Sequence, residues 1–591
     1  MNALPPVSPG VVAEVLDALP PRLRKRLDAA LPRAAEWVVA LDGDTATARL
    51  DEDTTLTWTL RAGVLTAAAD LRCGCLLAPN CLHRGIAVAA AGIGDAADDS
   101  DGTDGTASPP VAAAEPVTQP DEEITAGQRG AAGALWSAAG AVLLAGAAGS
   151  GAVVQAELLR AVHTARVHGL HRAAAAGLRI VTALRGSRAG DSSFDRAELG
   201  EDLTELLLLC HDLRTGRGNP AELRGTARRE YRPIGGLRLW GLCTEAVVTT
   251  SGYAGVVTHL VDDRGGLWTV PAIAPGGEER VGPVAGGPVA VGESGLTHRA
   301  LGRAGLVLSG ATASPDRRLG AGAAVRAVAA SGARWSEEPL DLLWREPPAE
   351  QVRRAFAARA RPPSHRAAGA DLLFLDAEIV GVAGDALRVL ADGAEIDLVG
   401  ESARVWENLR LLARARGARM RVVARLVPDR PATATALAVA AGPEELTLPQ
   451  EWCQRADLGL DRLQHSHLVG DLPVGRVPPR PSGQDGAARP VRLLEHWVQR
   501  VVVGGRSVPA VASAAADRAA LVRWGLTGTA GLLAELEAAA RDHERDAFGR
   551  LVSDSGDPFV LAWLRSSVHV AEFARTSAQR TWLEPEVGAQ V

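Results

Sequence analysis

The sequence predicts a multidomain α+β protein in which a small N-terminal module precedes helical and β-rich domains. Its 591 residues exceed what one hydrophobic core usually organises, so three or more domains are expected. Helical patterns dominate residues 126–220. Short apolar runs separated by turn clusters dominate residues 225–447 and predict strands.

Seven segments are expected along the chain. They are an N-terminal helical segment (1–36), a small module (37–95), a flexible acidic linker (96–125), a helical domain (126–220), a β-rich domain (225–348), a second β-rich domain (365–447), and a mostly helical C-terminal region (448–591) with a Pro/Gly-rich linker near 472–490.

The module at 37–95 combines two patterns. Leu56, Trp58 and Leu60 alternate with threonines, which predicts a strand with one buried face. The apolar run at 86–93 predicts a short helix. The linker that follows has nine acidic residues between Asp95 and Glu123 and no lysine or arginine, a composition that cannot bury enough apolar area to fold.

Residues 130–156 carry no charge over 27 positions, long enough to cross a bilayer. They are mostly Ala, Gly and Ser, and glycines at 146, 149 and 151 would break a helix. A buried helix–turn–helix is therefore predicted, and no membrane partner. The net charge of -7, the lack of an N-terminal signal and the scattered remaining cysteines predict a cytoplasmic protein without disulfides.

Four residues in the module form a metal-ligand pattern. Cys73-Gly74-Cys75 is followed after five residues by Cys81-Leu82-His83. Three thiolates and one imidazole make a closed tetrahedral set typical of one structural Zn²⁺. Residues at i and i+2 point the same way on a strand or knuckle. Gly74 permits a tight turn between the sulfurs, and Pro79-Asn80 predicts the chain reversal that returns the second pair.

This C-x-C…C-x-H arrangement, after a β-hairpin and before an apolar helix, resembles the SWIM zinc finger. The resemblance covers residues 37–95 and assigns the ligand roles to Cys73, Cys75, Cys81 and His83. It implies recognition of DNA or protein. The rest of the chain is similar to long SWIM-containing proteins of high-GC actinobacteria. Some bacterial relatives are associated with MoxR-type ATPases and von Willebrand A-domain proteins, which implies an adaptor role by analogy.

Three functions follow as hypotheses. Many SWIM fingers have lysine between the last Cys and His, whereas this chain has Leu82, with Arg84 the only base nearby; this favours a protein partner. The alternative is DNA binding by the finger with the arginine-rich helices at 152–190. A third is an enzyme with an unrecognised site in the β-rich domains. No hydrolase, metalloprotease or nucleotide motif is present, so no catalytic or organic-cofactor residue is predicted, and catalysis is not expected.

Overall fold

The computed structural model describes most of the chain. The described ranges are 4–51, 53–94, 123–191, 194–227, 230–249, 252–322, 324–362, 365–469, 477, 490–545, 547, 551–554 and 556–583. Nearly all of the predicted acidic linker (96–125) and of the predicted Pro/Gly linker (472–490) lies outside these ranges.

Helices are the commonest elements of the described residues. They are α1 (Pro9–Asp17), α2 (Pro21–Ala30), α3 (Leu82–Ala90), α4 (Ala126–Gly149), α5 (Ala152–Val167), α6 (His171–Ala189), α7 (Arg196–Thr215), α8 (Pro220–Arg224), α9 (Val281–Gly286), α10 (His298–Leu301), α11 (Leu342–Arg345), α12 (Pro348–Arg359), α13 (Ala403–Leu412), α14 (Val491–Gly504), α15 (Ser507–Val511), α16 (Ala515–Arg523), α17 (Thr527–Arg541) and α18 (Gly556–Leu583).

The strands form four sheets within the described ranges. They are β1 (Val39–Asp42), β2 (Thr45–Arg49), β3 (Thr55–Thr59), β4 (Leu71–Cys73), β5 (Arg232–Val248), β6 (Tyr253–Val261), β7 (Leu267–Pro275), β8 (Gly305–Ala313), β9 (Arg326–Ala330), β10 (Leu372–Ala383), β11 (Ala386–Ala391), β12 (Ala394–Val399), β13 (Arg419–Leu426), β14 (Thr433–Ala440), β15 (Arg455–Asp457), β16 (His543–Arg545) and β17 (Leu551–Asp554). The predicted mixed α+β, multidomain class is confirmed. The linear division into seven segments stays a prediction.

Chain contacts divide the protein into two compact units. The first contains the described residues of 4–94, 123–227 and 490–570, and the second contains those of 230–477 and 571–583. In the first unit, the four-stranded antiparallel sheet β1-β2-β3-β4 and helices α1–α7 and α14–α18 share one continuous cluster of buried side chains. The module at 37–95 therefore has no core separate from that of the helices.

Strand β3 has the predicted alternation. Leu56 and Trp58 are fully buried, while Thr55 and Thr59 are exposed. Strand β3 pairs with β2 on one side and with β4 on the other, so this half-buried strand is an inner strand of the sheet and not an edge strand.

Helices α4 and α5 form the predicted helix–turn–helix. The chain leaves helical geometry at Gly146, where φ is 69°, and α5 begins three residues after α4 ends. A Cβ at Gly146 would lie 2.4 Å from the backbone nitrogen of Gly505, so two backbones meet there. Helix α4 is the one described helix long and apolar enough to cross a membrane, and 56% of its most apolar window is buried. Its burial is that of a core helix.

The second unit contains a five-stranded antiparallel sheet and a barrel. The sheet has the order β7-β6-β5-β8-β9. In the barrel, antiparallel pairs connect β12, β11, β10, β13 and β14, and a parallel pair between β12 and β14 closes the ring, with α13 between β12 and β13. This is the order of an OB-type Greek-key barrel, and the order alone implies no ligand.

Strand β10 is buried on both faces. Leu373 and Leu375 lie in the barrel core, whereas Leu372 and Phe374 pack with Cys243 and Trp335 from the neighbouring sheet region. Double burial explains why the sequence has a continuous apolar run here instead of an alternating one.

A buried ion network also connects the sheet to the barrel. Glu245 of β5 accepts hydrogen bonds from Arg425 of β13 at 2.7 and 2.9 Å, and His259 of β6 lies 2.9 Å from the same carboxylate. Burial alone would raise the pKa of Glu245, but Arg425 and His259 outweigh it and lower the pKa to about 2.

We expect Glu245→Gln to destabilise the second unit by about 2 kcal/mol near pH 7, because it removes the buried carboxylate that binds both terminal nitrogens of Arg425 and leaves Asp371 as the remaining carboxylate partner of that arginine. The folded-state pKa of Glu245 lies below its ordinary value of 4.5, so its contribution is complete above that pH and is lost as the pH falls towards 2. Urea denaturation with hydrogen exchange of β5 and β13 peptides measures the difference between variant and wild type.

The matched control is Glu338→Gln, which removes an exposed ion pair with Arg345. It should change stability by less than about 0.5 kcal/mol. Equal effects of the two substitutions, or a Glu245 effect that persists unchanged at pH 3, would contradict the role assigned to the network.

Candidate metal centre

The first pair of candidate ligands lies at the end of the four-stranded sheet. Cys73 ends β4 and pairs with Leu56 of β3. The backbone N–H of Gly74 donates to the carbonyl of Thr55 at 2.9 Å, so the sheet register extends between the two cysteines. A Cβ at Gly74 would approach its neighbours no closer than 3.6 Å. Glycine is thus not sterically required there, contrary to the expectation of a tight turn.

The second pair lies at the start of α3. The N–H of Ala78 donates to the carbonyl of Cys75 at 3.1 Å, and a cis Ala78–Pro79 peptide follows in the reversal. Cys81 is the N-cap residue of α3, and His83 lies in its first turn. The helix N-terminus, whose dipole favours thiolate, therefore faces the cluster.

The structure brings the four predicted ligands together. Their ligand atoms, three Sγ and one imidazole nitrogen, all lie within 4.8 Å of one another, and the Sγ of Cys73 is 3.8 Å from the Nδ1 of His83. In a tetrahedral site with metal–sulfur bonds of about 2.3 Å, sulfurs lie about 3.8 Å apart. The cluster could therefore bind one metal ion, as a zinc-finger-like site does. It is the one such group of His, Cys, Asp or Glu in the described part of the chain.

Local environment sets the protonation of the ligands. Burial raises the pKa of Cys73 to about 12 and also raises that of Cys81. For Cys75, burial is outweighed by the backbone N–H of Leu77 and by the neighbouring thiols, and the pKa is lowered. Burial and then the charge of Arg33 lower the pKa of His83. Histidine binds a metal ion as the neutral imidazole, whereas cysteine binds it as the thiolate. Because a bound cation stabilises the thiolates, metal binding releases protons from the cysteines.

Arg84 has a role that the sequence did not reveal. Its side chain is 6% exposed, and its guanidinium donates to the carbonyls of Pro79 and Ala68. It therefore fixes the reversal between Cys75 and Cys81 to the segment that precedes β4. The guanidinium of Arg84 is thus bound inside the protein.

Most of the arginines at 152–190, which the sequence suggested for DNA binding, already bind a carboxylate or a carbonyl of the protein. Arg160 pairs with Asp17 and Glu157, and Arg185 donates to the carbonyl of Ala91. The remaining ion pairs of this set are Arg172 with Glu205, Arg179 with Asp202 and Glu205, and Arg188 with Asp28. Burial lowers the pKa of Arg166. This set offers phosphate far less charge than its sequence suggests.

Comparison with known proteins gives no relative: no family model, no curated protein and no solved structure matches the chain. The likeness to a zinc finger therefore rests on the cluster itself.

We expect Arg84→Met to weaken metal binding about tenfold or more while all four ligands remain, because the loop between Cys75 and Cys81 loses its attachment. Competition with a chromogenic chelator measures the affinity. Arg72→Met is the control, since Arg72 lies next to Cys73 but is exposed. Equal affinities of the two variants would show that Arg84 does not position the loop.

Proposed function

We propose that Cys73, Cys75, Cys81 and His83 hold one structural Zn²⁺ in a SWIM-type finger and that this finger recognises a protein partner. The ligand set, the preceding sheet and the following apolar helix support the SWIM assignment. Three thiolates and an imidazole fill a tetrahedral shell and leave no position for a substrate, so the metal stabilises the fold and does not catalyse.

The observation that carries the recognition proposal is an exposed leucine pair inside the metal loop. Leu76 is fully exposed and Leu77 is 65% exposed, and they lie directly between the second and third ligands. Isolated surface leucines are common, but these two are adjacent and sit in a loop whose conformation the ligands and Arg84 fix. A rigid apolar projection suits insertion into an apolar groove of another protein.

The same surroundings argue against phosphate as the ligand. Leu82 replaces the lysine of many SWIM fingers, and Arg84 is committed to backbone carbonyls. Affinity for nucleic acid depends on cations that neutralise phosphates, and most of the arginines at 152–190 already bind carboxylates or carbonyls of the protein. We therefore favour recognition of a protein over binding of DNA.

Purified protein should contain one Zn²⁺ per chain, and Cys73→Ser or His83→Ala should lose most of it, because each removes one of four ligands. Elemental analysis by mass spectrometry after removal of loosely bound metal gives the stoichiometry. Cys453→Ser, which alters a cysteine outside the cluster, should retain the full amount. Zinc-free wild type, or ligand variants that keep the wild-type content, would refute the metal assignment.

The double variant Leu76→Ser/Leu77→Ser should lose its partner while it keeps its zinc. Affinity capture with quantitative mass spectrometry should show at least a tenfold drop for the proteins that wild type retains, because the apolar contact is removed. Val38→Ser/Leu41→Ser is the matched control, since those side chains are 69% and 67% exposed in the same module, Val38 just before β1 and Leu41 within it.

Two results would go against the loop as the recognition surface. One is equal capture by the two double variants. The other is recovery of nucleic acid with a steep salt dependence, which would favour DNA recognition instead.

A further inference from the structure

Basic side chains form an exposed stripe along α2. Arg22, Lys25 and Arg26 lie at positions i, i+3 and i+4, so they share one face of this helix, and all three are exposed. Arg33, in the 3₁₀ turn that follows α2, is exposed as well. None of these four side chains forms a hydrogen bond or an ion pair with another described residue. We call these four residues the basic stripe.

The carboxylates of the neighbouring elements leave the basic stripe positively charged. Asp28 of α2 pairs with Arg188 of α6, and Asp17 of α1 pairs with Arg160 of α5. These carboxylates are therefore matched by arginines outside the stripe. Glu36, at the end of the 3₁₀ turn, is exposed and has no ion pair with a described residue. Four cations against this one carboxylate leave three positive charges.

The acidic segment, Asp95 to Glu123, begins close to the helix that carries the stripe. Arg185 of α6 donates to the carbonyl of Ala91, and Arg188, one turn later on the same helix, pairs with Asp28 of α2. Neighbouring arginines of α6 thus bind both α2 and the chain just before the acidic segment. Asp95 follows Ala91 by four residues, so the two lie within about 14 Å of each other.

The acidic segment complements the stripe in charge and is attached at both ends. It has nine carboxylates and no lysine or arginine, and residues 95–122 of it lie outside the described ranges. The N–H of Gly94 donates to the carbonyl of Val7, and Arg224 binds the carbonyl of Glu123. Both attachments and the stripe belong to the first unit. Such a tether gives an effective concentration on the order of millimolar.

We propose that the acidic segment binds the basic stripe of its own chain and excludes other polyanions from it. Its composition prevents it from burying an apolar core, but ion pairing needs none. Single exposed ion pairs are weak, yet several can form together here without the entropy cost of capturing a second molecule. Because the charges are exposed, salt should weaken the contact.

Lys25 gives a direct test, because it is the only lysine of the chain. A water-soluble carbodiimide joins an amine to a carboxylate that touches it, and peptide mass spectrometry of the full-length protein identifies the carboxylate joined to Lys25. We expect residues of the acidic segment, above all the five aspartates nearest to its start. Mixing isotope-labelled and unlabelled protein should show that the links lie within one chain. Salt at about 0.5 M should lower their yield at least fivefold.

The double variant Arg22→Gln/Arg26→Gln keeps Lys25 as the reporter and removes half of the cations of the stripe. It should lower the yield of these links at least threefold. Arg492→Gln/Arg523→Gln is the matched control, since it removes the same charge from exposed positions on α14 and α16 of the first unit. The control should keep the wild-type yield.

Exclusion of other polyanions is measured with a fluorescent single-stranded DNA at low salt. The probe should bind at least tenfold more tightly when the start of the acidic segment is neutralised by Asp95→Asn, Asp98→Asn, Asp99→Asn, Asp101→Asn and Asp104→Asn. Addition of Arg22→Gln/Arg26→Gln should remove this gain. Three results would each overturn the proposal: links from Lys25 mainly to carboxylates outside the acidic segment, links mainly between chains, or equal DNA affinity of the neutralised variant and wild type.

Discussion

The placement of α3 is the constraint on which the metal centre depends. Two candidate ligands end a strand and two begin a helix, so the ligand atoms converge only if that helix meets the sheet at one position. Packing sets this position: a Cβ at Gly85 of α3 would lie 2.7 Å from the Cδ1 of Leu19, so the helix packs closely against the segment that follows α1. Arg84 then attaches the intervening loop. The positions of the four ligand atoms therefore depend on apolar packing on the side of α3 that faces away from the metal cluster.

The parts of the structure that local chemistry determines were predictable. The spacing of Cys73, Cys75, Cys81 and His83 indicated a cluster, and the alternation around Trp58 indicated a half-buried strand. Roles set by distant partners were not. Nothing near Arg84 shows that it points inwards, and Glu245 and Arg425 are 180 positions apart. Periodicity reports which face of an element is buried, but it does not report what covers that face.

Arginine serves several structural purposes in this protein. Its abundance in the sequence indicated little, but Arg84 binds two backbone carbonyls, Arg455 binds several, and Arg425 neutralises a buried carboxylate. A guanidinium can do this because it has five donors in a planar arrangement and does not lose its charge when buried. Lysine, with a compact ammonium group, could not replace it at these positions without leaving carbonyls unsatisfied.

Helix α18 has a consequence for synthesis. Phe559 and Trp563 are buried in the first unit, and Ala578 and Trp582 near the end of the same helix are buried in the core of the second. On the ribosome, residues from about 4 to 545 emerge before this helix exists, and at roughly 5–20 residues per second that interval lasts about half a minute to two minutes. Neither core is complete during that time. The apolar surface that α18 covers in each unit therefore stays exposed on the nascent chain until this helix is made.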